Sequence, residues 1–306
     1  MKLNTNAIIV ANTKGGTGKS TLSTMVLPVV FGDNKEITIY EVDSSKNKNI
    51  FKNSKLNFQV INTSIGAEET LDNVYFDALA EDENRLNIVD CGAGEDTVKV
   101  LNHIKQSSFD GLTYFIPFQD DSDQTQNVFN TINMIKESDP RGQIYFVFNE
   151  AVSLKQDEVE QQFHNLFKEY ESGERSGKGK IAELISQVDG FFFVRKTTIF
   201  TPLKNIDQTT LYDRYPLALH IDNNIAQYRA EWMKEIKEMN LSRAEGQKKL
   251  SQKLEVHRLA KKMIDFRNEL REMFLGEDNC EYEYELEEID ELEELSTYLE
   301  AEEEEK

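Results

Sequence analysis

The sequence predicts an α/β fold, a mostly parallel twisted sheet with helices on both faces, followed by C-terminal helices and an acidic tail. Three observations carry that expectation. Through the first 220 residues, short apolar runs alternate with longer amphipathic stretches, the rhythm of strands joined by helical crossovers. Most of the runs are β-branched or aromatic and are bounded by Gly, Asp or Asn, as strands buried on both faces are. From His220 onward no such run recurs and the pattern becomes helical.

In chain order, the strands are expected at Ala7 to Ala11, Ile37 to Val42, Phe58 to Asn62, Leu86 to Asp90, Leu112 to Pro117, Ile144 to Asn149 and Phe191 to Val194. Helices are expected between them at Lys19 to Phe31, Ala67 to Ala80, Thr97 to Gln106, Asp123 to Glu137 and Leu154 to Tyr170. Glu171 to Lys180 mixes Gly173, Gly177 and Gly179 with Ser, Lys and Glu, and reads as a mobile loop. Two helical stretches follow, Ile221 to Asn240 and Ser242 to Phe274. In the second, Leu259, Met263, Phe266, Leu270 and Met273 recur every three or four residues as one apolar stripe, while Arg243, Lys248, Lys249, Lys253, Arg258, Lys261, Lys262, Arg267 and Arg271 make its other faces basic. The chain turns at Gly276 into a tail whose Leu286, Ile289, Leu292, Leu295 and Leu299 suit a helix when docked; its charge density favours disorder when free.

Charge separates body from tail. The formal net charge is −21, yet residues 277–306 hold sixteen acids against Lys306 alone, so the tail carries −15 and the body only −6. The tail therefore cannot bind a polyanion, whereas the body is not excluded from doing so. Two cysteines, Cys91 and Cys280, make no disulfide framework and lack zinc spacing, which suits a reducing compartment. No signal-peptide core is apparent, and no apolar run approaches the roughly 18 residues of a membrane span, so the expectation is a cytoplasmic protein. His103, His164, His220 and His257 are scattered without metal or triad spacing.

The most informative stretch is Lys14-Gly15-Gly16-Thr17-Gly18-Lys19-Ser20-Thr21, between the first strand and the first helix. Glycines let backbone N–H groups curl around phosphate oxygens, and the helix N-terminus adds partial positive charge. Lys19 is expected to bridge β- and γ-phosphate oxygens and the Ser20 hydroxyl to ligate Mg²⁺. Position 13 is Thr rather than the first glycine of the usual G-x-x-x-x-G-K-[ST] loop, and Lys14 follows it.

With that extra lysine the loop resembles the deviant Walker A motif of the ParA/MinD family of P-loop ATPases, over roughly residues 5 to 240. The resemblance implies a P-loop NTPase fold, ATP and Mg²⁺ as cofactors, and an ATP-dependent homodimer in which Lys14 reaches the phosphates held by the other subunit. Glu41-Val42-Asp43 looks like switch I, making Asp43 the carboxylate that orients the attacking water. Asp43 joins Ser20 and Asp90 as the expected metal ligands, Asp90 through water at the end of a Walker B strand, Leu86-Asn87-Ile88-Val89-Asp90. Cys91-Gly92-Ala93-Gly94 resembles switch II. Asn149 stands where relatives meet the adenine edge, and an amide suits that edge as donor and acceptor. Glu41 and Ser44-Ser45 depart from the family's usual Asp and Pro-Gln.

Three parts follow: a ParA-like ATPase domain over 1–240, a basic amphipathic extension over 241–276, and the acidic tail over 277–306. The expected function is slow, partner-stimulated ATP hydrolysis that drives DNA partition through nonspecific DNA binding. A centromere-binding or cargo adaptor is expected, together with nucleoid association. A terminal Glu302-Glu303-Glu304-Glu305 run disfavours a membrane anchor. Alternatives are a conjugation-associated or other cargo-positioning ATPase acting through a protein, a filament-forming protein regulated by a weak ATPase, and a dethiobiotin-synthetase-like metabolic enzyme.

Overall fold

Parallel neighbours need crossover connections, so the helical stretches between apolar runs dictate where each strand can lie. In the computed structural model the described residues are 6–44, 50–63, 71–72, 74–75, 84–107, 109–119, 122–167, 180–239 and 241–276. All seven expected strands form: β1 (Ala7–Val10), β2 (Glu36–Val42), β3 (Asn57–Ile61), β4 (Arg85–Cys91), β5 (Thr113–Phe118), β6 (Gln143–Ala151) and β7 (Gly190–Arg195). They make one sheet in the order β3-β2-β4-β1-β5-β6-β7, every pairing parallel. This is an all-parallel α/β architecture, as the sequence led us to expect. Central β1 pairs with β4 and β5, and its Ala7, Ile8, Ile9 and Val10 are fully buried. The carboxyl ends of β1, β2 and β4 therefore lie side by side, the place where open α/β sheets hold their ligands.

The helix after β1 is not uniform. It begins as Lys19–Thr21, passes through a π turn at Leu22–Val26 and resumes as Leu27–Phe31. Pro28 explains the irregularity, because it has no N–H for the carbonyl of Thr24 and its ring would crowd that carbonyl. Leu27 N–H instead reaches back to Leu22 O. Ser23 and Thr24 hydroxyls donate to the carbonyls of Lys19 and Ser20 at 2.7 and 2.6 Å.

The chain divides into two compact units. The first comprises 1–49, 56–197 and 273–275. Its core lies on both faces of the sheet, with Phe148 stacked on Phe193 at 4.7 Å and Phe192 stacked on Phe274 at 4.3 Å. Helices Glu95–Ser107 and Ser122–Ser138 form close to expectation, while Leu154 to Tyr170 is realised as the shorter Gln156–Gln162 and His164–Phe167. The expected helix at Ala67 to Ala80 falls largely outside the described residues, and the expected loop and acidic tail lie outside them apart from Lys180.

Among the described residues, the second unit comprises 50–55, 198–272 and 276. Helix Leu211–Asn223, absent from the sequence reading, starts on a capping box in which Thr210 and Asp213 exchange hydrogen bonds. Asp213 also accepts from Ser54 Oγ and Lys55 N–H, which fixes segment 50–55 within this unit. The single helix expected at Ile221 to Asn240 is instead two, because Asn224 leaves helical geometry and the second begins at Ile225–Glu238. Helix Arg243–Leu275 matches its expected span, opened by a Ser242/Glu245 capping box and closed by Gly276 at φ 68°.

The basic faces of that last helix are narrower than the sequence implied. Arg267 and Arg271 are buried, Arg267 with its guanidinium over the Tyr215 ring at 4.1 Å. Lys253 pairs with Glu235 at 2.8 Å, and Arg258 with Glu255. Exposed cations remain at Arg243, Lys248, Arg258, Lys261 and Lys262.

Candidate functional site

The strand end of β1 passes into Asn12, whose amide donates to Pro117 O at 2.9 Å and whose Oδ1 accepts Lys14 N–H at 2.9 Å. This one buried side chain starts the loop and ties it to β5. Gly16 and Gly18 then take φ of 76° and 94°, left-handed values that cost a side chain strain. Gly18 has a second reason to be glycine: a Cβ there would lie 1.9 Å from Asn149 Nδ2. The helix starts immediately afterwards at Lys19.

Lys19 is 8% exposed and donates from Nζ to the carbonyls of Asn12 and Lys14, both at 2.9 Å. Burial holds its ammonium below lysine's ordinary range, and the negative charges of Asp90 and Asp43 pull it partly back. Around it lies a cavity of about 370 Å³ walled by residues 15–21 of the loop, Asp43 after β2, Asp90 and Cys91 at the end of β4, and Gly92 and Ala93 beyond. The Thr17 hydroxyl is buried in this wall with no hydrogen-bond partner. A donor set of curled backbone, an ammonium, a spare hydroxyl and strand-end carboxylates suits a polyphosphate with a divalent cation.

The three ligand-facing segments are wired to one another. Gly94 N–H donates to Thr13 O at 2.7 Å, joining the loop after β4 to the phosphate loop, and Gly92 N–H donates to Val42 O at 2.6 Å, joining it to the end of β2. Gly92 admits no Cβ, which would sit 2.7 Å from Asp96 Oδ2 and 2.9 Å from Val42 O. Asp43 N–H is held by Ile61 O at 3.1 Å. Cys91 is buried, and that burial, reinforced by Asp90, raises its thiol far above the usual range and leaves it inert.

Gly15, Gly16, Thr17, Gly18, Lys19, Ser20, Thr21, Asp43 and Asp90 thus share one cavity. Lys14 lies outside its wall, half-buried, with its carbonyl spent on Lys19. Asn149, expected at an adenine edge, is 3% exposed and donates its amide to Thr17 O at 3.2 Å, so it braces the loop from behind. Glu41, read as the first residue of the switch I segment, also lines the cavity, as do Gln119 and Glu150, which had no assigned place in the sequence reading. Glu150 takes φ of 57° at a bulge in the β6–β7 pairing, a re-aiming that a glutamate gives no sequence sign of.

No protein-family model matches the chain. No curated protein matches it either. Among solved structures, the chain is similar to apo McdA of Cyanothece at 12% identity, covering 65% of this chain and 89% of that one with a TM-score of 0.43. It is similar to the MinD cell division protein of Aquifex aeolicus at 12% identity, covering 65% and 85% with a TM-score of 0.42. A third likeness is to cobyrinic acid a,c-diamide synthase of Mycobacterium smegmatis with a bound ATP analog and magnesium, at 15% identity, covering 57% and 90% with a TM-score of 0.37.

Proposed function

We propose that the chain is a ParA-like ATPase that binds ATP with Mg²⁺ at residues 14–21, hydrolyses it slowly, and uses an ATP-dependent homodimer to position a DNA cargo. The observation that carries this reading is the cavity in which the Lys19 ammonium, the unpartnered Thr17 hydroxyl and the carboxylates of Asp43 and Asp90 meet behind a Lys14-bearing glycine loop. Backbone N–H groups of residues 15–20 cradle the β-phosphate, and Lys19 exchanges its carbonyl partners for phosphate oxygens. Ser20, Asp43 and Asp90 would hold Mg²⁺, which would supply charge neutralisation for the phosphates. Asp43 aligns the attacking water behind the γ-phosphate, and Lys14 serves the nucleotide of the second copy.

The surface used by the dimer is the exposed cationic run Arg243, Lys248, Arg258, Lys261 and Lys262, suited to a phosphate backbone without base readout. Burial of Arg267 and Arg271 leaves that run short, and this favours, as a second reading, cargo positioning through a protein partner. Two sets of measurements decide. Lys19→Ala abolishes nucleotide binding, Asp43→Ala binds ATP without turnover, and Lys14→Ala binds ATP as a monomer; a Lys14→Ala protein that dimerises like wild type overturns the deviant-loop reading. Duplex DNA binding is then followed across a salt series in apo, ADP and slowly hydrolysed ATP states, on the full chain and on residues 1–276. Binding that requires ATP and falls steeply with salt supports the DNA surface. ATP dimers without DNA affinity transfer the role to a protein partner.

A further inference from the structure

Asp96 lies in the first turn of helix Glu95–Ser107, 5% exposed, and its carboxylate faces away from helical duty. Oδ2 accepts both the N–H and the hydroxyl of Ser44 at 3.1 Å, and Oδ1 accepts the Thr63 hydroxyl at 2.5 Å. Three segments far apart in sequence thus meet on one carboxylate: the residue after Asp43, the residue two past β3, and the helix that follows Asp90 and Gly92. The approach is close enough that Gly92 tolerates no Cβ against the same Oδ2.

We infer that Asp96 is a positioning residue for the reaction at the cavity, setting Asp43 by pinning the backbone on its C-terminal side. Asp43 itself has its N–H on Ile61 O at 3.1 Å, and Ser44 N–H is on Asp96. Consecutive amides are therefore held by two different supports, β3 and the helix after β4. A carboxylate that must align a water is sensitive to shifts well under an ångström, and this double anchorage removes the backbone freedom that would permit them. The same contact makes any movement of the loop after β4 a movement of Asp43, because Gly92 N–H on Val42 O and Asp96 on Ser44 link the two strand ends at successive points. Asp96 does not itself line the cavity; its N–H donates to Ala93 O at 3.3 Å in the wall after β4, and its carboxylate is spent on Ser44 and Thr63, so its effect is expected on turnover rather than on phosphate binding.

The inference rests on the proposed roles of the nucleotide loop and Asp43, and the test separates the two. Wild type, Asp96→Ala, Asp96→Asn, Ser44→Ala and Thr63→Val are compared as full-length chains by calorimetric titration with a slowly hydrolysed ATP analogue, steady-state ATP hydrolysis, and amide hydrogen exchange without nucleotide. Asp96→Ala is expected to lower kcat about tenfold or more while the analogue Kd changes by less than about threefold, with faster exchange at Ser44. Asp96→Asn, which keeps one carbonyl acceptor, and the two single-hydroxyl variants fall between. Unchanged Ser44 exchange together with unchanged kcat overturns the inference; so does a parallel loss of affinity, kcat and thermal stability across the series, which marks a purely structural residue. Should Asp96→Ala fail to fold, Ser44→Ala and Thr63→Val carry the same comparison from the opposite side of the contact. A wild type that neither binds nor hydrolyses ATP sinks the nucleotide reading instead, and Ser44 exchange in Asp96→Asn still decides whether the carboxylate holds that backbone.

Discussion

Lys19 and Arg267 are both buried cations, and they are buried for opposite reasons. Lys19 stands in the wall of a cavity, its ammonium on two backbone carbonyls with Asp43 and Asp90 around the same space. Arg267 is 1% exposed in the helical unit, its guanidinium laid over Tyr215. Desolvating either charge is costly. At Arg267 the compensation comes from within the fold, in an aromatic face and packing. At Lys19 the compensation is incomplete, and burial keeps its proton affinity low despite nearby carboxylates. Burial of a charge therefore does not mark a site; an unfilled space beside the charge does.

Substitutions at the two positions should break along this line. Lys19→Ala is expected to weaken ATP binding by a factor of about 100 or more, roughly 3 kcal/mol, while leaving thermal unfolding nearly unchanged, as calorimetric titration and a melting curve will report. Arg267→Ala inverts the pattern, costing about 3 kcal/mol of stability through a cavity and a stranded aromatic face, with ATP affinity at 25 °C within about threefold of wild type. If both variants lose both properties, the contrast is wrong. Gly18→Ala sharpens it from the loop side: the added Cβ meets Asn149 and the 94° φ penalises any side chain, so affinity should fall with a stability loss of about 1–3 kcal/mol. In the helical unit, removal of the Ser242 cap by Ser242→Ala should cost only about 1 kcal/mol in chemical denaturation. The smallest effect concerns protons. Because the apo Lys19 pKa is lowered and phosphate restores the charged form, ATP binding at alkaline pH should take up protons, read as a buffer-dependent binding enthalpy. The sign for stability is the reverse of a salt-bridged lysine: without nucleotide this group's contribution improves as pH rises from its folded towards its unfolded pKa.

The two regions also differ in how much of them the sequence discloses. The strands were legible because a sheet buried on both faces demands continuous apolar runs, and Ala7–Val10 or Thr113–Phe118 can be little else. The phosphate loop was legible because its backbone needs glycine where φ is positive. The helical unit was harder to read. Thr210 and Asp213 did carry a capping signal, but Pro216 inside Leu211–Asn223 obscured the helix behind it. Arg267 and Arg271 were taken as solvent-facing from their charge, although spacings of four and eight from Met263 set them beside the apolar stripe; long basic side chains can pack as hydrocarbon and end on a ring. Around the cavity, Gln119 escaped because no local pattern records which way a residue just past a strand end turns, and Glu150 because nothing in its neighbours marks the bulge that re-aims it. Asp96 escaped because an acid in the first turn of a helix already has a sufficient local reason to be there.

Strand order has a last consequence, for the newly made chain. β1 is synthesised first yet occupies the centre, with Ile8 beside Ile88 on one side and Thr113 on the other. Until the ribosome has passed β4, the four apolar residues of β1 have neither neighbour, and until it has passed β5 one side stays open and the glycine loop behind them has no Pro117 carbonyl for Asn12. Such long-range closure is slow to form, and a nucleotide can engage the loop only when it is finished. On the proposed function, ATP would then act as a late ligand of the folding chain, pulling the completed central sheet out of equilibrium with its open precursors.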